Sequence, residues 1–357
     1  MTNLKKIIYL VEDTESAQFR YRCKNVSETL RKSKKWQAEW FLKADIEKVI
    51  KELDKASLLV IERQTAKDDV VLNLIEKAHR LGVKVLFDLD DLIFDYRDLP
   101  LLMWSTNSKN IFYWSGYFWG IRRVAKAVDG FLCTNEFLAN KLRRSFKKPV
   151  GVIRNSLNSE QIKVSEKAVK KKNTKRKVFW IGYFSGSPTH VKDFRMIESD
   201  LIDFLKIHDN AFLKVVGDME FSQEMQRMIE KKRVKTEPKV DYLKLQELMA
   251  EVDVNIAPLI INEFTNCKSE LKFFEAAAVE TTTIASPSYA FERAIVNDEN
   301  GYLAQTGEWY EKIEFLYKNP DKNRKIALAA KKYATRHYYG EEFLKEIEVA
   351  CDYFISI

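Results

Sequence analysis

Residues 252–286 read VDVNIAPLIINEFTNCKSELKFFEAAAVETTTIAS. The apolar run at 252–258 ends in a proline and predicts a short buried strand of a parallel sheet. A polar loop follows at 262–268, and then a helix that should end near Val279. Residues 281–285 are β-branched or small and predict the next strand. The stretch therefore predicts a strand–loop–helix–strand unit of the kind that builds doubly wound α/β domains.

The helix in this unit is expected to begin at Ser269, a good N-cap residue, with Glu270 in a first turn where negative charge suits the helix dipole. Free backbone N–H groups at a helix start bind anions, and ligands of open α/β sheets bind at this position. Lys268 and Lys272 flank the predicted start, and Glu275 lies one turn further along. The segment therefore predicts a site for an anionic ligand.

The phrase KSELKFFEAAAVETTTIAS resembles the donor-binding core of GT-B glycosyltransferases, in particular the large retaining family 4 (glycosyl transferases group 1). That family carries an E-x7-E motif whose second Glu binds the ribose hydroxyls of the nucleotide, and Glu275 matches this residue. The first Glu would fall on Cys267, so its role has no counterpart here. The residues alone leave another interpretation of Glu275, as a solvated or capping side chain.

Composition narrows the function further. A chain of 357 residues with 46% hydrophobic and 31% charged residues can form two soluble domains. The net charge of +8 suits nucleic acid, an anionic membrane surface or phosphorylated ligands. The four cysteines and four histidines are scattered, which argues against a disulfide framework or a metal site. Without an evident signal peptide or spanning segment, we expect a cytoplasmic protein.

The first half of the chain supplies candidates for the acceptor side. The loop after the strand at 6–11 lacks glycine, so it is not a dinucleotide fingerprint. Arg20 and Arg22 in this loop would contact the acceptor if the resemblance holds, or else form a solvated helix face. The phrase DLDDLIFD begins at Asp88; in another transferase fold its DxD pair would bind Mg²⁺. It instead resembles the GT-B N-terminal domain, which makes Asp88, Asp90 and Asp91 site candidates, with Asp90 and Asp91 assigned to the acceptor side.

Aromatic side chains crowd residues 100–126 and are followed by cations. The segment fits a core helix with a wide apolar face, a membrane interface, or a surface that stacks on sugars or bases. In the membrane interpretation the protein would lie peripherally at the inner face of the plasma membrane. Its contact residues would be Trp104, Trp114, Trp119, Arg122, Arg123 and Lys126.

Residues 155–177 are polar and lysine-rich, and predict a linker or exposed loop at the domain boundary. A second α/β unit then opens with a strand at 178–181 and the loop GYFSGSPTHVKDF. Small residues between a strand and a helix can cradle phosphate. The loop resembles a family variant of the form S-G-x-x-T-H that faces the diphosphate and acceptor. His190 in this loop also fits a capping or packing role.

The resemblance implies a GT-B fold of two Rossmann-like doubly wound domains facing a central cleft. The expected limits are 1–155 for the acceptor-side domain, 156–340 for the nucleotide-sugar domain, and 341–357 for a helix that packs back on the first. The catalytic candidates are Lys268, Lys272 and His190. The donor-binding candidates are Glu275, Ser185, Gly186, Ser187, Ser269, Glu270 and Lys192.

The implied function is retaining transfer of a sugar from a UDP-, GDP- or dTDP-sugar to a glycan, glycolipid or glycoprotein acceptor of a bacterial-type pathway. No metal or other cofactor is expected, because fixed cations and helix N–H groups can stabilise the leaving diphosphate. A different class remains open, a non-catalytic basic module that binds nucleic acid or an envelope polymer. No recognised nucleic-acid motif is present, so we expect no nucleic-acid partner. An epimerase on the same fold is a third, less favoured alternative.

Overall fold

The computed structural model describes residues 4–172, 177–185 and 190–357. The chain divides into two units. The first contains Met1–Ser156, Asn266–Ser269 and Tyr338–Ile357, and the second contains Leu157–Thr265 and Glu270–His337. The short segment Asn266–Ser269 thus lies in the first unit, although the limits expected from the sequence place it in the second.

Strands and helices alternate along the described residues. The strands are β1 (Lys5–Val11), β2 (Trp36–Leu42), β3 (Leu58–Glu62), β4 (Lys84–Asp88), β5 (Gly130–Cys133), β6 (Val150–Val152), β7 (Phe179–Phe184), β8 (Ala211–Val216), β9 (Val234–Glu237), β10 (Val254–Ala257), β11 (Thr282–Ala285) and β12 (Tyr302–Leu303). The helices before the second unit are α1 (Ala17–Phe19), α2 (Asn25–Leu30), α3 (Ile46–Glu52), α4 (Val70–Arg80), α5 (Leu99–Ser105), α6 (Ile111–Ala127) and α7 (Glu136–Phe146). Those that follow are α8 (Ser159–Lys171), α9 (Val191–Arg195), α10 (Glu198–Ile207), α11 (Gln223–Glu230), α12 (Tyr242–Ala250), α13 (Glu263–Asn266), α14 (Leu271–Ala278), α15 (Tyr289–Ala294), α16 (Trp309–Lys318), α17 (Pro320–His337) and α18 (Glu341–Ser356).

The sheet of the first unit has the strand order β2-β1-β3-β4-β5-β6, with every pairing parallel. Its inner strands are apolar on both faces, because helices cover each side of a parallel sheet. Helix α18 contributes Phe343, Ile347 and Phe354 to the core that contains β1 and β3. The strand order reverses direction between β1 and β3, and ligands of doubly wound sheets bind at such a switch point.

The sheet of the second unit has the order β12-β11-β10-β7-β8-β9, again with parallel pairings. Its switch point lies between β7 and β10, whose carboxyl ends are Phe184 and Ala257. The core on one side joins Phe194 and Leu201 to Trp309 of α16. The element order and the strand order together match a Rossmann-like domain, as expected from the sequence.

One sequence prediction about local structure is wrong. Within the lysine-rich segment at 155–177, residues 159–171 form the helix α8 and not a loop, while residues 173–176 lie outside the described residues. Asn158 starts this helix through a capping box with Gln161, and Ser165 and Ala168 on one face are buried. The many lysines on the opposite face concealed this amphipathic pattern in the sequence. Lysine is nevertheless a good helix former, and the capping box marks the helix start.

The aromatic segment at 100–126 is not one helix. Helix α5 ends where the Thr106 backbone N–H and hydroxyl both donate to the carbonyl of Leu102, each at 2.8 Å. Helix α6 begins after Asn110, whose side chain accepts from the Tyr113 N–H at 2.9 Å. Within the described ranges, no helix is long and apolar enough to cross a membrane.

Gly130 at the start of β5 allows α18 to pack closely against the sheet. A Cβ added there would lie 2.5 Å from the Phe354 ring and 2.9 Å from the carbonyl oxygen of Pro149. Gly116 in α6 is the opposite case, because an added Cβ would meet no heavy atom within 4 Å. The two glycines therefore offer a matched pair of substitutions in the same unit.

We expect Gly130→Ala to lower the free energy of unfolding by about 1–3 kcal/mol, because the new methyl group must displace the backbone or the Phe354 ring. Gly116→Ala should raise it by roughly 0.5–1 kcal/mol, because alanine loses less entropy than glycine in a helix. Urea unfolding followed by circular dichroism would measure both changes. Equal stability of Gly130→Ala and the wild type would contradict the packing described here.

Candidate functional site

The switch point of the second unit is held together by one carboxylate. Asp193 accepts the Ile260 N–H at 2.8 Å with one oxygen, and its other oxygen lies 2.9 Å from Nδ1 of His190. Ile260 follows β10 and His190 follows β7, so Asp193 ties together the loops at the two strand ends. This arrangement fixes the backbone where a doubly wound sheet binds its ligand.

The loop after β7 contains several predicted phosphate-binding residues. Ser185 is buried, and its backbone N–H donates to the Val216 carbonyl at 2.8 Å. The carbonyl of His190 accepts from the Tyr183 hydroxyl at 3.3 Å, and Lys192 is half-buried in α9. His190 is the N-cap residue of α9, although its side chain makes no capping hydrogen bond. The predicted residues Gly186 and Ser187 lie outside the described residues.

Glu275 is 2% exposed, so it is not the solvated side chain that the sequence left open. Its Oε1 accepts from the side-chain amide of Gln161 at 3.3 Å. Gln161 is itself positioned by the capping box, in which its backbone N–H donates to the side chain of Asn158 at 2.8 Å. A buried carboxylate needs such partners to remain favourable. Sequence reasoning missed Gln161, although the N-x-x-Q spacing of a capping box could have marked it.

The start of α14 differs from the sequence prediction. The N-cap is Glu270, not Ser269, and Glu270 is therefore not in the first helical turn. The hydroxyl of Ser269 instead accepts from the side-chain amide of Asn155 at 2.9 Å within the first unit. Ser269 belongs to that unit while Glu270 begins the next segment of the second. The hydrogen bond from Asn155 thus takes the place of a cap by Ser269, and a serine cap would stabilise the helix by only about 1 kcal/mol.

Lys272 in the first turn of α14 lies over β7. Its ammonium is 4.9 Å from the centroid of the Tyr183 ring, a cation–π distance. The carbonyl of Lys272 accepts from the side-chain amide of Asn255 in β10 at 3.0 Å. Lys272 therefore contacts both β7 and β10, the two strands between which a ligand is expected to bind.

In the first unit, Arg22 and Asp88 form a buried bidentate ion pair. The Arg22 Nε–Asp88 Oδ1 and Nη2–Oδ2 distances are 2.8 and 3.1 Å, and both side chains are at most 2% exposed. Nη1 of Arg22 donates to the carbonyl of Ile153 and the side chain of Asn155. The alternative of a solvated helix face is therefore wrong for Arg22. Arg20, half-buried, lies over the Tyr21 ring at 4.6 Å.

Arg63 organises the second pair of acids. It follows β3 with a φ of 39°, a left-handed conformation that is uncommon for residues other than glycine. Its Nη1 lies 3.1 Å from Asp90 and 3.0 Å from Asp91, and its Nε donates to the Tyr117 hydroxyl at 3.0 Å. Lys268 lies 3.5 Å from Asp91 in the same unit. Sequence reasoning missed Arg63, because nothing in the sequence marks its backbone conformation.

These ion pairs set the protonation of the cluster. Burial raises the pKa of Asp91, but Lys268 and Arg63 outweigh it and hold this pKa at about 2. Burial dominates for Asp88 and Asp90, whose pKa values are raised.

Glu62, paired in register with Asp88, has its pKa raised to about 8, first by burial and then by the charges of Asp88 and Asp90. With Glu62 protonated, three carboxylates face three cations. The carboxylates are Asp88, Asp90 and Asp91, and the cations are Arg22, Arg63 and Lys268. The cluster is therefore close to neutral. An acidic pair that is already neutralised is a poor Mg²⁺ site, and in the described residues no group of three or more metal-ligating side chains occurs.

A family of known proteins matches the part of the chain that contains the sheet of the second unit. Residues 175–319 match the family model described as Glycosyl transferases group 1. The matched range contains Lys272, Glu275 and the whole sheet of the second unit. A search of curated protein sequences gives no significant match.

Solved structures resemble the whole chain. Three are HepE of Anabaena in complex with UDP and glucose (14% identity, TM-score 0.62, 99% of this chain and 100% of that one), a glycosyltransferase from Rickettsia africae (14%, 0.65, 99% and 99%) and sucrose-phosphate synthase from Thermosynechococcus elongatus (13%, 0.61, 99% and 100%). The matched domain and the fold indicate a GT-B glycosyltransferase. The predicted fold class is thereby confirmed, while the roles of individual site residues stay predictions.

The buried carboxyl of Glu62 predicts an unusual pH dependence of stability. The native pKa is about 8 and the unfolded value about 4.3. Between these values the native state keeps a proton that the unfolded state has released, so stability falls as pH rises. We expect Glu62→Gln, a neutral isostere, to flatten the dependence of the free energy of unfolding between about pH 5 and 8.

Urea unfolding at several pH values would measure this slope, with Glu47→Gln as a control because Glu47 is exposed on α3. The control should keep the wild-type slope. A Glu62→Gln variant with the same slope as the wild type would show that Glu62 is ionised in the native protein.

Proposed function

We propose that this glycosyltransferase transfers a sugar from a UDP-sugar with retention of anomeric configuration and without a metal ion. The acceptor we propose is a glycan, glycolipid or glycoprotein of a bacterial-type pathway. This proposal rests mainly on Glu275, which is buried on α14 beside a switch point within the matched domain. The choice of UDP is supported by HepE of Anabaena, which has been solved with UDP and with UDP-glucose.

In this proposal Glu275 accepts the hydrogen bonds of the ribose hydroxyls. Its contact with Gln161 holds the carboxylate in one orientation before the nucleotide binds. Such preorganisation lowers the entropy lost on binding. Charge-assisted hydrogen bonds from two hydroxyls to one carboxylate would then contribute both affinity and orientation of the donor.

The leaving diphosphate needs positive charge that strengthens as the sugar–phosphate bond breaks. Of the two predicted lysines, we assign this role to Lys272, because it lies on α14 one turn before Glu275 and over Tyr183 of β7, at the switch point of the second unit. Backbone N–H groups of the loop after β7 would assist, with Asp193 fixing the shape of that loop. In the proposed reaction the anomeric carbon exchanges its bond to phosphate for one to the acceptor oxygen, and the departing phosphate oxygen takes the acceptor proton.

The acceptor side is proposed on the first unit, at the carboxyl ends of β3 and β4. Glu62, protonated at neutral pH, could donate a hydrogen bond to an acceptor hydroxyl, while Asp90 could accept one. The near-neutral balance of this cluster favours an uncharged polyhydroxylated group over a phosphate. Arg22 acts in this proposal as a positioning residue, because its own donors are used by Asp88 and by Ile153.

A first prediction concerns the ribose contact. Glu275→Gln keeps the volume and can still accept from Gln161, but it loses the charge that strengthens the ribose hydrogen bonds, roughly 1.5–3 kcal/mol for each. UDP affinity, measured by isothermal titration calorimetry, should fall by at least about tenfold with little change in melting temperature.

The matched control is Asp253→Asn. Asp253 accepts the Trp180 N–H at 2.7 Å and begins the opposite, amino-terminal edge of β10, so the same loss of charge there should leave UDP affinity unchanged. Unchanged UDP affinity in Glu275→Gln would refute the ribose assignment, and a fall of equal size in both variants would point to a general electrostatic effect.

A second prediction concerns metal. Hydrolysis of UDP-glucose should survive EDTA, because Arg63 and Lys268 neutralise the acids that would otherwise bind Mg²⁺. Product UDP would be measured with and without the chelator, and with Mg²⁺ restored. Loss of hydrolysis in EDTA that Mg²⁺ rescues, and that Asp91→Asn reproduces, would reverse this assignment.

A further inference from the structure

The first unit exposes a set of large apolar side chains on α5 and α6. Phe112 is 88% exposed, and four further side chains, Trp104, Ile111, Tyr113 and Trp119, are each about half exposed. Folded proteins seldom expose contiguous apolar surface of this kind without an interaction partner. We call this set the aromatic face: Trp104, Ile111, Phe112, Tyr113 and Trp119.

Helical spacing explains how one aromatic segment serves two surfaces. Phe118, Ile121 and Val124 of α6 are buried in the unit. Phe112, Gly116 and Trp119 recur at intervals of four and three residues and lie on the opposite, exposed side. Gly116 adds no side chain between the two aromatics, and nothing lies near its Cβ position. The exposed side of α6 is thus a flat apolar strip about 10 Å long, at 1.5 Å per residue.

The charged residues in the segment that carries the aromatic face are all cations. Residues 99–127 contain four cations and no acidic residue. Arg122 donates to the Phe94 carbonyl. Arg123 lies 4.8 Å from the centroid of the Trp119 ring, but its charge is already paired with Asp69 at 2.6 Å. Lys109 and Lys126 are exposed near the two ends of α6. The cations of the face are therefore these two lysines, and not the arginines that the sequence suggested. Trp114 is less exposed than any member of the aromatic face and also leaves the predicted set.

We propose that the aromatic face binds the surface of an anionic lipid bilayer. Amphipathic tryptophan and tyrosine rings favour the level of the lipid headgroups, and lysines flanking an apolar helix face favour anionic lipid. The absence of acidic residues over residues 99–127 complements negative charge extending over the whole strip. Two lysines and a few inserted rings give reversible binding, not anchoring. The contact requires neither donor nor acceptor, so it can be tested without any enzymatic activity.

Sedimentation with vesicles tests the inference directly. The full chain should sediment with vesicles of phosphatidylglycerol and phosphatidylcholine at about 0.01 M salt, and leave them near 1 M salt, where the screening length falls from about 30 to about 3 Å. It should not sediment with pure phosphatidylcholine to the same extent. Vesicles with brominated acyl chains should quench part of the tryptophan fluorescence in the wild type and less in Trp119→Phe.

Matched variants separate the apolar and the charged contributions. Phe112→Ser should lower the partition coefficient by at least about tenfold, whereas Ile207→Ser, at an exposed apolar residue of the second unit, should not change it. The double change Lys109→Gln and Lys126→Gln should lower it roughly 20- to 30-fold. The same change at Lys163 and Lys167, exposed on α8, should have a much smaller effect. Each of these side chains is exposed, so melting temperatures should stay near that of the wild type.

Three results would overturn the inference. The first is a wild-type chain that does not bind anionic vesicles. The second is a Phe112→Ser variant that binds them as tightly as the wild type. The third is a lipid-free dimer, detected by analytical ultracentrifugation at micromolar concentration, that Phe112→Ser abolishes; this result would assign the aromatic face to a second copy of the chain.

Discussion

Parallel pairing of every strand in both sheets is the constraint from which the site positions follow. Parallel neighbours need long crossovers, so helices cover both faces and the strands become apolar throughout. The carboxyl ends of the strands then lie together at one edge of the sheet. At the switch point the loops that follow two neighbouring strands leave in opposite directions, which opens a crevice. Polar residues such as Asp88 and Asp193 collect at this edge because the remainder of each strand is committed to the core.

The two units solve the problem of buried charge in different ways. In the first, Arg22 and Arg63 neutralise acids within hydrogen-bonding distance, and removing one partner of such a pair leaves an expensive uncompensated charge. In the second, Glu275 accepts a hydrogen bond from the side-chain amide of Gln161, which helps to orient its carboxylate. A carboxylate that is paired bidentately with guanidinium, as Asp88 is, has both oxygens engaged.

Sequence reasoning predicted the α/β alternation and the strand at β10, because the periodicity of a strand is a local signal. It also placed Glu275 on a helix after that strand. It missed Gln161 and Arg63, whose contacts cross 114 and 27 residues of sequence. It also misjudged Ser269, because the competing partner Asn155 lies far away in the chain. Partners brought together by tertiary packing leave no periodic trace in the sequence.

The position of Cys267 limits how far the resemblance to the E-x7-E motif extends. That motif has a carboxylate at this position, but the thiol of Cys267 is 0% exposed. Burial raises the pKa of this thiol, with nearby Lys141 opposing and Asp91 reinforcing the shift. A neutral, fully buried thiol is a weak hydrogen-bond donor and packs as a small apolar group. Any role that the first Glu of the motif plays must therefore be taken by other groups here.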